Sequence, residues 1–213
     1  MDVKAAIEKA KSDSPKRNFA QSVDLFVNFK NLDFNKPENK LNLEVILPKG
    51  RGKPRTVCVI CGDEMATNAK AAADRVISPQ ELEEIGKDKK KVKAVAEGYD
   101  AFISQANLMA PVGKYLGQVL GPRGKMPKPV PPQADLKPLV AKLRNTVIIK
   151  TKGKNLPVIH TPVGTEEMSS DDLAANTLAI ISAIRAKVTN PQFFGKVFIK
   201  TTMGPVIEIT EGF

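Results

Sequence analysis

The sequence has no tryptophan, two tyrosines, one histidine and two cysteines among its 213 residues, and aromatic residues make up only 5%. Each scarcity removes a class of function. The single histidine, His160, has no acidic or cysteine neighbour at ligand spacing, so neither a histidine metal centre nor a nucleophile–histidine–acid arrangement has its parts. The cysteines, Cys58 and Cys61 in "VCVICG", form one C-x-x-C spacing with no second pair to complete a zinc site. Strand positions three apart point to opposite faces, so the pair reads as part of a buried strand. No apolar run approaches the roughly 20 residues of a membrane span, and "MDVKAAIEKA" lacks the apolar stretch of a secretion signal. A cytoplasmic protein with no cofactor and no membrane contact is expected.

Nucleotide chemistry is also poorly served. In "GPRGK", Gly121 to Lys125, Val119 stands where a phosphate loop needs its first glycine, and Met126 follows the lysine in place of Ser or Thr. Carboxylates are plentiful but form no spaced pair within a pocket motif, so no enzyme is expected; a nucleotide-dependent enzyme in the central part of the chain is the alternative.

What the chain does have is positive charge. Its 33 basic residues exceed 23 acidic ones by ten, with a pI near 9.6, which favours an acidic partner such as nucleic acid. The excess locates nothing, because residues 55–146 carry 15 basic and 10 acidic residues and the remainder 18 and 13. The run "KDKKKVK", Lys87 to Lys93, reads as a solvated helix face in preference to a phosphate contact. The loop Gly121 to Asp135, with five prolines and two glycines, suits a rigid connector and an RNA-touching or protein-touching surface equally.

Periodicity predicts a helix over "DVKAAIEKAKSD" that Ser14-Pro15 stops, then half-buried strands in "SVDLFVNF" and "LNLEVIL" joined by a link long enough for an antiparallel return. "PKGRGKPR", Pro48 to Arg55, reads as a linker or hinge. Beyond it, continuous apolar strands such as "TVCVICG" alternate with helices, the pattern of a small parallel α/β domain. Half-buried strands then return, with an amphipathic helix over Ser169 to Val188 whose cap is Ser169, and a last strand containing "IKTTMGPVIEI". The expected fold class is α/β. Residues 1–54 with 147–213 are expected to form one α+β domain, with residues 55–146 inserted into it as a second, α/β domain.

Two features suit RNA. In "KRNFAQSVD" basic residues precede Phe19 at the mouth of a strand, where a ring stacks on a base, although core packing fits Phe19 equally well. In "TTMGP" a hydroxyl, a flexible apolar side chain, a residue without a side chain and a locked ring interrupt a strand.

Together, "RNFAQSVDL", "LGPRGKMPKP", "HTPVG" and "TTMGP" resemble the L-one family of large-subunit ribosomal proteins in its archaeal form, in the family's order and over essentially the whole chain. The resemblance implies a non-enzymatic protein that binds large-subunit rRNA at the mobile stalk beside the exit site and assists release of deacylated tRNA. It further implies repression of its own operon mRNA, a monomer when free, RNA binding by the domain of residues 1–54 with 147–213, and a Rossmann-like fold without nucleotide for residues 55–146. By the same resemblance, Thr202, Met203 and Gly204 form the RNA-reading step and Phe19 the aromatic contact. Ser22 and Asp24 lie on the contacting face of the first strand, and Lys154, Asn155 and His160 at a second contact loop.

Overall fold

Alternating apolar residues place Val23, Leu25, Val27 and Phe29 on one side of a strand and Ser22, Asp24, Phe26 and Asn28 on the other. The computed structural model describes residues 2–32, 34, 39–151, 156–188 and 190–210, and buries the first set. The chain begins with α1 (Val3–Ser12), β1 (Ser22–Phe29) and β2 (Asn42–Ile46). Next come β3 (Val57–Ile60), α2 (Asp63–Ala72), β4 (Arg75–Ile77), α3 (Pro79–Lys87), α4 (Lys89–Gly98), β5 (Ala101–Gln105), α5 (Met109–Tyr115), α6 (Gly117–Leu120), β6 (Lys128–Val130) and α7 (Leu136–Asn145). It ends with β7 (Thr146–Lys150), β8 (Val158–Thr165), α8 (Ser170–Lys187), β9 (Phe194–Thr201) and β10 (Ile207–Ile209). Among the described residues no helix is long and apolar enough to cross a membrane.

The elements form two compact units, Met1–Pro54 with Asn145–Phe213, and Arg55–Arg144. The later boundary lies two residues before the position expected from the sequence, and Asn145 is held to the first unit by its carbonyl, which accepts from the Leu47 N–H at 3.0 Å.

In the first unit an antiparallel sheet of order β10-β9-β1-β8 packs one face against α1 and α8. Asp2 caps α1 by accepting from the Val3 N–H at 2.7 Å, and Val3, Ala6, Ile7 and Ala10 form its buried stripe. Ser169 caps α8, accepting from the Asp172 N–H at 3.1 Å. Two expectations fail here. β2 does not return onto β1: it pairs with β7 in a separate two-stranded ribbon, while β1 takes β8 and β9, strands of its own eight-residue length, as partners. Longer pairing buries more than the nearer segment offers. "IKTTMGPVIEI" is not one interrupted strand either, because the Met-Gly-Pro step reverses the chain and pairs Ile207 with Ile199 and Ile209 with Val197.

The second unit is a parallel sheet of order β4-β3-β5-β6 with helices on both faces. Cys58, Ile60 and Phe102 pack with the α3–α6 side, and Val57, Val59, Cys61 and Ile103 with residues of α2 and α7. The cysteines therefore lie in different layers, and burial pushes the Cys58 thiol up to about 12, away from thiolate chemistry. β6 was expected to be loop; it is an edge strand, the sheet position that tolerates Pro129. α3 and α4 are separated by a break at Asp88, whose side chain caps α4.

All of the linker but Arg55 belongs to the first unit, which holds it through Lys49 and Gly50. Buried Asn176 on α8 accepts from the Lys49 N–H at 3.1 Å and donates to the carbonyls of Gly50 and Val163 at 2.8 and 3.0 Å. Asn176→Ala strands these backbone groups, so urea unfolding should show a loss of about 2–4 kcal/mol; a loss under about 0.5 kcal/mol would refute the anchoring role.

Candidate nucleic-acid interface

The turn after β9 is fixed to the start of β1. The Thr202 N–H donates to the Ser22 carbonyl at 3.0 Å, and the Thr202 hydroxyl accepts from the Ser22 N–H at 3.1 Å and donates to the same carbonyl at 3.3 Å. One hydroxyl acceptor site remains for an outside donor. The Met203 N–H donates to Gln21 Oε1 at 3.0 Å, which leaves the methionine side chain 53% exposed. Gly204 closes the turn: its N–H donates to the Thr201 carbonyl at 3.3 Å, and a Cβ there would lie 2.2 Å from Thr201 Oγ1 and 3.3 Å from Ser14. Only a residue without a side chain fits. Phe19 is also 53% exposed, so the core-packing reading does not hold for it.

Gln21 is the residue that sequence reasoning missed. It is 1% exposed, and its Nε2 donates to Ser14 Oγ at 3.0 Å and the Pro15 carbonyl at 2.9 Å. Its own N–H and carbonyl are taken by Glu166, at 3.0 and 2.9 Å. A signal was available: Gln21 shares the parity of Val23 and Leu25, so it is a polar residue on the buried side of the strand.

Away from the helices, the sheet presents a polar and aromatic face. Asp24 pairs in register with Lys200, and Phe26 with Phe198 on one side and His160 on the other. The Phe26 and His160 rings lie 6.0 Å apart, and Lys196 bonds Glu208 at 3.1 Å. Phe26, Phe198 and Lys200 were likewise missed, since alternation marked their side of the sheet as polar without saying which strands adjoin. Ser22, Asp24, His160, Thr202, Met203 and Gly204 thus share one sheet and its end turn, with Phe19 just before it, whereas Lys154 and Asn155 lie outside the described residues.

Burial pushes the Asp24 carboxyl up from its ordinary value, against the pull of His160, Lys200 and Arg51. A carboxyl with a raised folded pKa holds its proton more tightly in the folded chain, so ionising it costs folding free energy. That cost is absent below the unfolded value and complete above the folded one.

The crevice of the second unit is closed to phosphate. The Gly62 N–H at the start of α2 already donates to Gln105 Oε1 at 2.9 Å, and Asp63 and Glu64 fill the first turn, where an anion would bind. Arg123 and Lys125 of "GPRGK" serve α4: Arg123 bonds Glu97 at 2.8 Å, and Lys125 donates to the carbonyls of Ala96 and Tyr99 at 2.9 and 2.8 Å. Among the described residues no group of three His, Cys, Asp or Glu side chains is placed to hold a metal.

The profile of the Ribosomal protein L1p/L10e family matches residues 2–205. The large ribosomal subunit protein uL1 of Methanothermobacter thermautotrophicus is 47% identical over 210 residues, 98% of each chain. That of Archaeoglobus fulgidus is 43% identical over 206 residues, covering 96% of this chain and 95% of the relative. The protein of the same name from Thermoplasma acidophilum is 41% identical over 212 residues, covering 99% and 97%.

Asp24→Asn should raise stability at neutral pH, with the gain fading as the solution is acidified towards about pH 3, below the ordinary aspartate value of about 3.9. Urea titrations across pH read this directly, and a gain that does not change with pH would contradict it.

Proposed function

The chain belongs to the Ribosomal protein L1p/L10e family, a family of structural, non-enzymatic large-subunit proteins, and on that premise we propose that it binds large-subunit rRNA through the β1 face and the 202–204 turn. The site of action is the mobile stalk beside the tRNA exit site, where the bound protein assists release of deacylated tRNA. Free protein is a cytoplasmic monomer that represses translation by binding its own operon mRNA at a site resembling the rRNA one.

The observation that carries this reading is the turn itself: an exposed methionine on a backbone pinned by Gln21 and Ser22, at the end of an open sheet face. Each group has a chemistry suited to RNA. Phe19 and Met203 offer apolar surface to a base or ribose, and Gly204, packed against Thr201 and Ser14, holds the tight turn that presents Met203. Asp24 accepts from a 2′-hydroxyl or base amino group, and Lys200 opposite it meets phosphate. His160 adds a donor beside Phe26, and Lys154 and Asn155 extend the contact. With Thr202 bonded to Ser22, its hydroxyl acts first as a staple and second as an acceptor.

Gel shifts with a stalk-rRNA fragment and the protein's own mRNA leader test the proposal. Met203→Ala should weaken rRNA binding by about 10-fold or more, about 1.4 kcal/mol, while unfolding free energy stays within about 0.5 kcal/mol. Thr202→Ala should weaken binding and also lower stability slightly, through the lost bonds to Ser22. Wild-type affinity in both variants would defeat the assignment.

A further inference from the structure

Five exposed lysines crowd the corner where α3 ends and α4 begins: Lys87, Lys89, Lys90, Lys91 and Lys93. Val92, Val95 and Ala96 take the buried face of α4, which directs the lysines outward. That accounts for where they point, not for their charge. Lys89, Lys90 and Lys91 lie in the first turn of α4, which contains no acid, at the helix end where a cation is disfavoured by about 0.3–1 kcal/mol. In contrast, Asp63 and Glu64 open α2, Glu81 lies near the start of α3, and Asp171 and Asp172 open α8, while α1 and α7 open with one lysine each and no acid.

Some other cations of the protein have carboxylate partners, such as Lys4 with Asp171 at 2.6 Å and Arg144 with Asp74 at 2.8 Å. None of the five lysines has a carboxylate within 4.0 Å among the described residues, and Glu97, further along α4, is taken by Arg123 at 2.8 Å. The corner is also held firmly. Asp88 accepts from the Lys90 N–H at 2.8 Å, Lys125 binds carbonyls at the far end of α4, and α3 crosses α5 so closely at Gly86 that a Cβ there would lie 2.3 Å from the Tyr115 ring. Lys114, beside Tyr115, adds a sixth exposed cation.

We propose that this lysine corner of the second unit is an RNA phosphate-contacting surface that acts without regard to base sequence. Ammonium groups on flexible stems, with no arginine fork among them, meet phosphates as point charges and read no base edges. Charge complementarity selects the RNA backbone, and the adverse placement at the helix start is offset when phosphates arrive. The inference rests on the RNA-binding role proposed above.

The test titrates the full chain and its fivefold variant Lys87→Gln, Lys89→Gln, Lys90→Gln, Lys91→Gln, Lys93→Gln with the stalk-rRNA fragment and a plain RNA duplex of equal length at several salt concentrations. The slope of log affinity against log salt should be shallower by about 2–4 for the variant on both RNAs, from about 0.9 per duplex phosphate contact. Its melting temperature should be unchanged or higher, because like charges at a helix end have been removed. Met203→Ala should instead weaken the rRNA complex alone and leave the slope in place. Slopes equal to wild type on both RNAs overturn the proposal. So does normal RNA binding combined with lost incorporation into ribosomes, which assigns the corner to an acidic protein. A wild-type chain that prefers the stalk fragment no more than the duplex overturns the function proposed above, while the variant's slope still decides this inference.

Discussion

The Gln21 side chain joins the end of α1, the start of β1 and the turn after β9. Its amide donates to Ser14 and Pro15 and accepts from Met203, and the side chain lies out of contact with water. A buried amide with every group satisfied specifies one arrangement, because any other leaves a donor or acceptor bare. Residues 14, 21, 166 and 203 meet there, so the first unit is closed by contacts between the two ends of the chain. The inserted segment of Arg55–Arg144 interrupts the sequence and leaves that closure intact.

In each unit, residues are placed against the interests of folding. Asp24 is pushed towards its neutral form by burial, Phe19 and Met203 expose more than half of large apolar side chains, and Lys89 to Lys91 oppose the dipole of α4. Sequences agree with their folds at most positions and depart from them where another task intervenes. All of these departures lie on the surfaces assigned to RNA. Elsewhere, Asp171 and Asp172 open α8 in agreement with its dipole, and Lys196 pairs with Glu208.

Much of the architecture was legible because it follows from period. Burial alternates along β1 as Val23, Leu25, Val27 and Phe29 predict, the α1 stripe appears at Val3, Ala6, Ile7 and Ala10, and Ser169 caps α8. Partnership was not legible. Nothing in "LNLEVIL" says that β2 seeks β7, a hundred residues away, and the Thr-Met-Gly-Pro step looks alike whether a strand is bulged or turned back. Candidate residues came from the sequence where a motif marked them, whereas register alone brings in Phe198 and Lys200 opposite Phe26 and Asp24. Gln21 was missed for another reason: a polar residue at core parity is informative only once its partners are known.

The two proposed surfaces divide the work of recognition in a way that bears on regulation. Lysines meeting phosphates strengthen the complex with rRNA and with mRNA alike, because both RNAs carry the same backbone. Such contacts cancel in the ratio of the two affinities. A preference of tenfold, about 1.4 kcal/mol, must therefore come from contacts that differ between the two RNAs. The groups able to make them stand on the first unit: Phe19 and Met203 with their apolar surfaces, Asp24 with its acceptor oxygens, and the one free acceptor site of Thr202. On the proposed function, mass action then lets free protein accumulate, and repress, only after the tighter rRNA sites are filled. On these proposals the lysine corner adds to the occupancy of both RNAs, and the turn pinned by Gln21 sets the order in which they are bound.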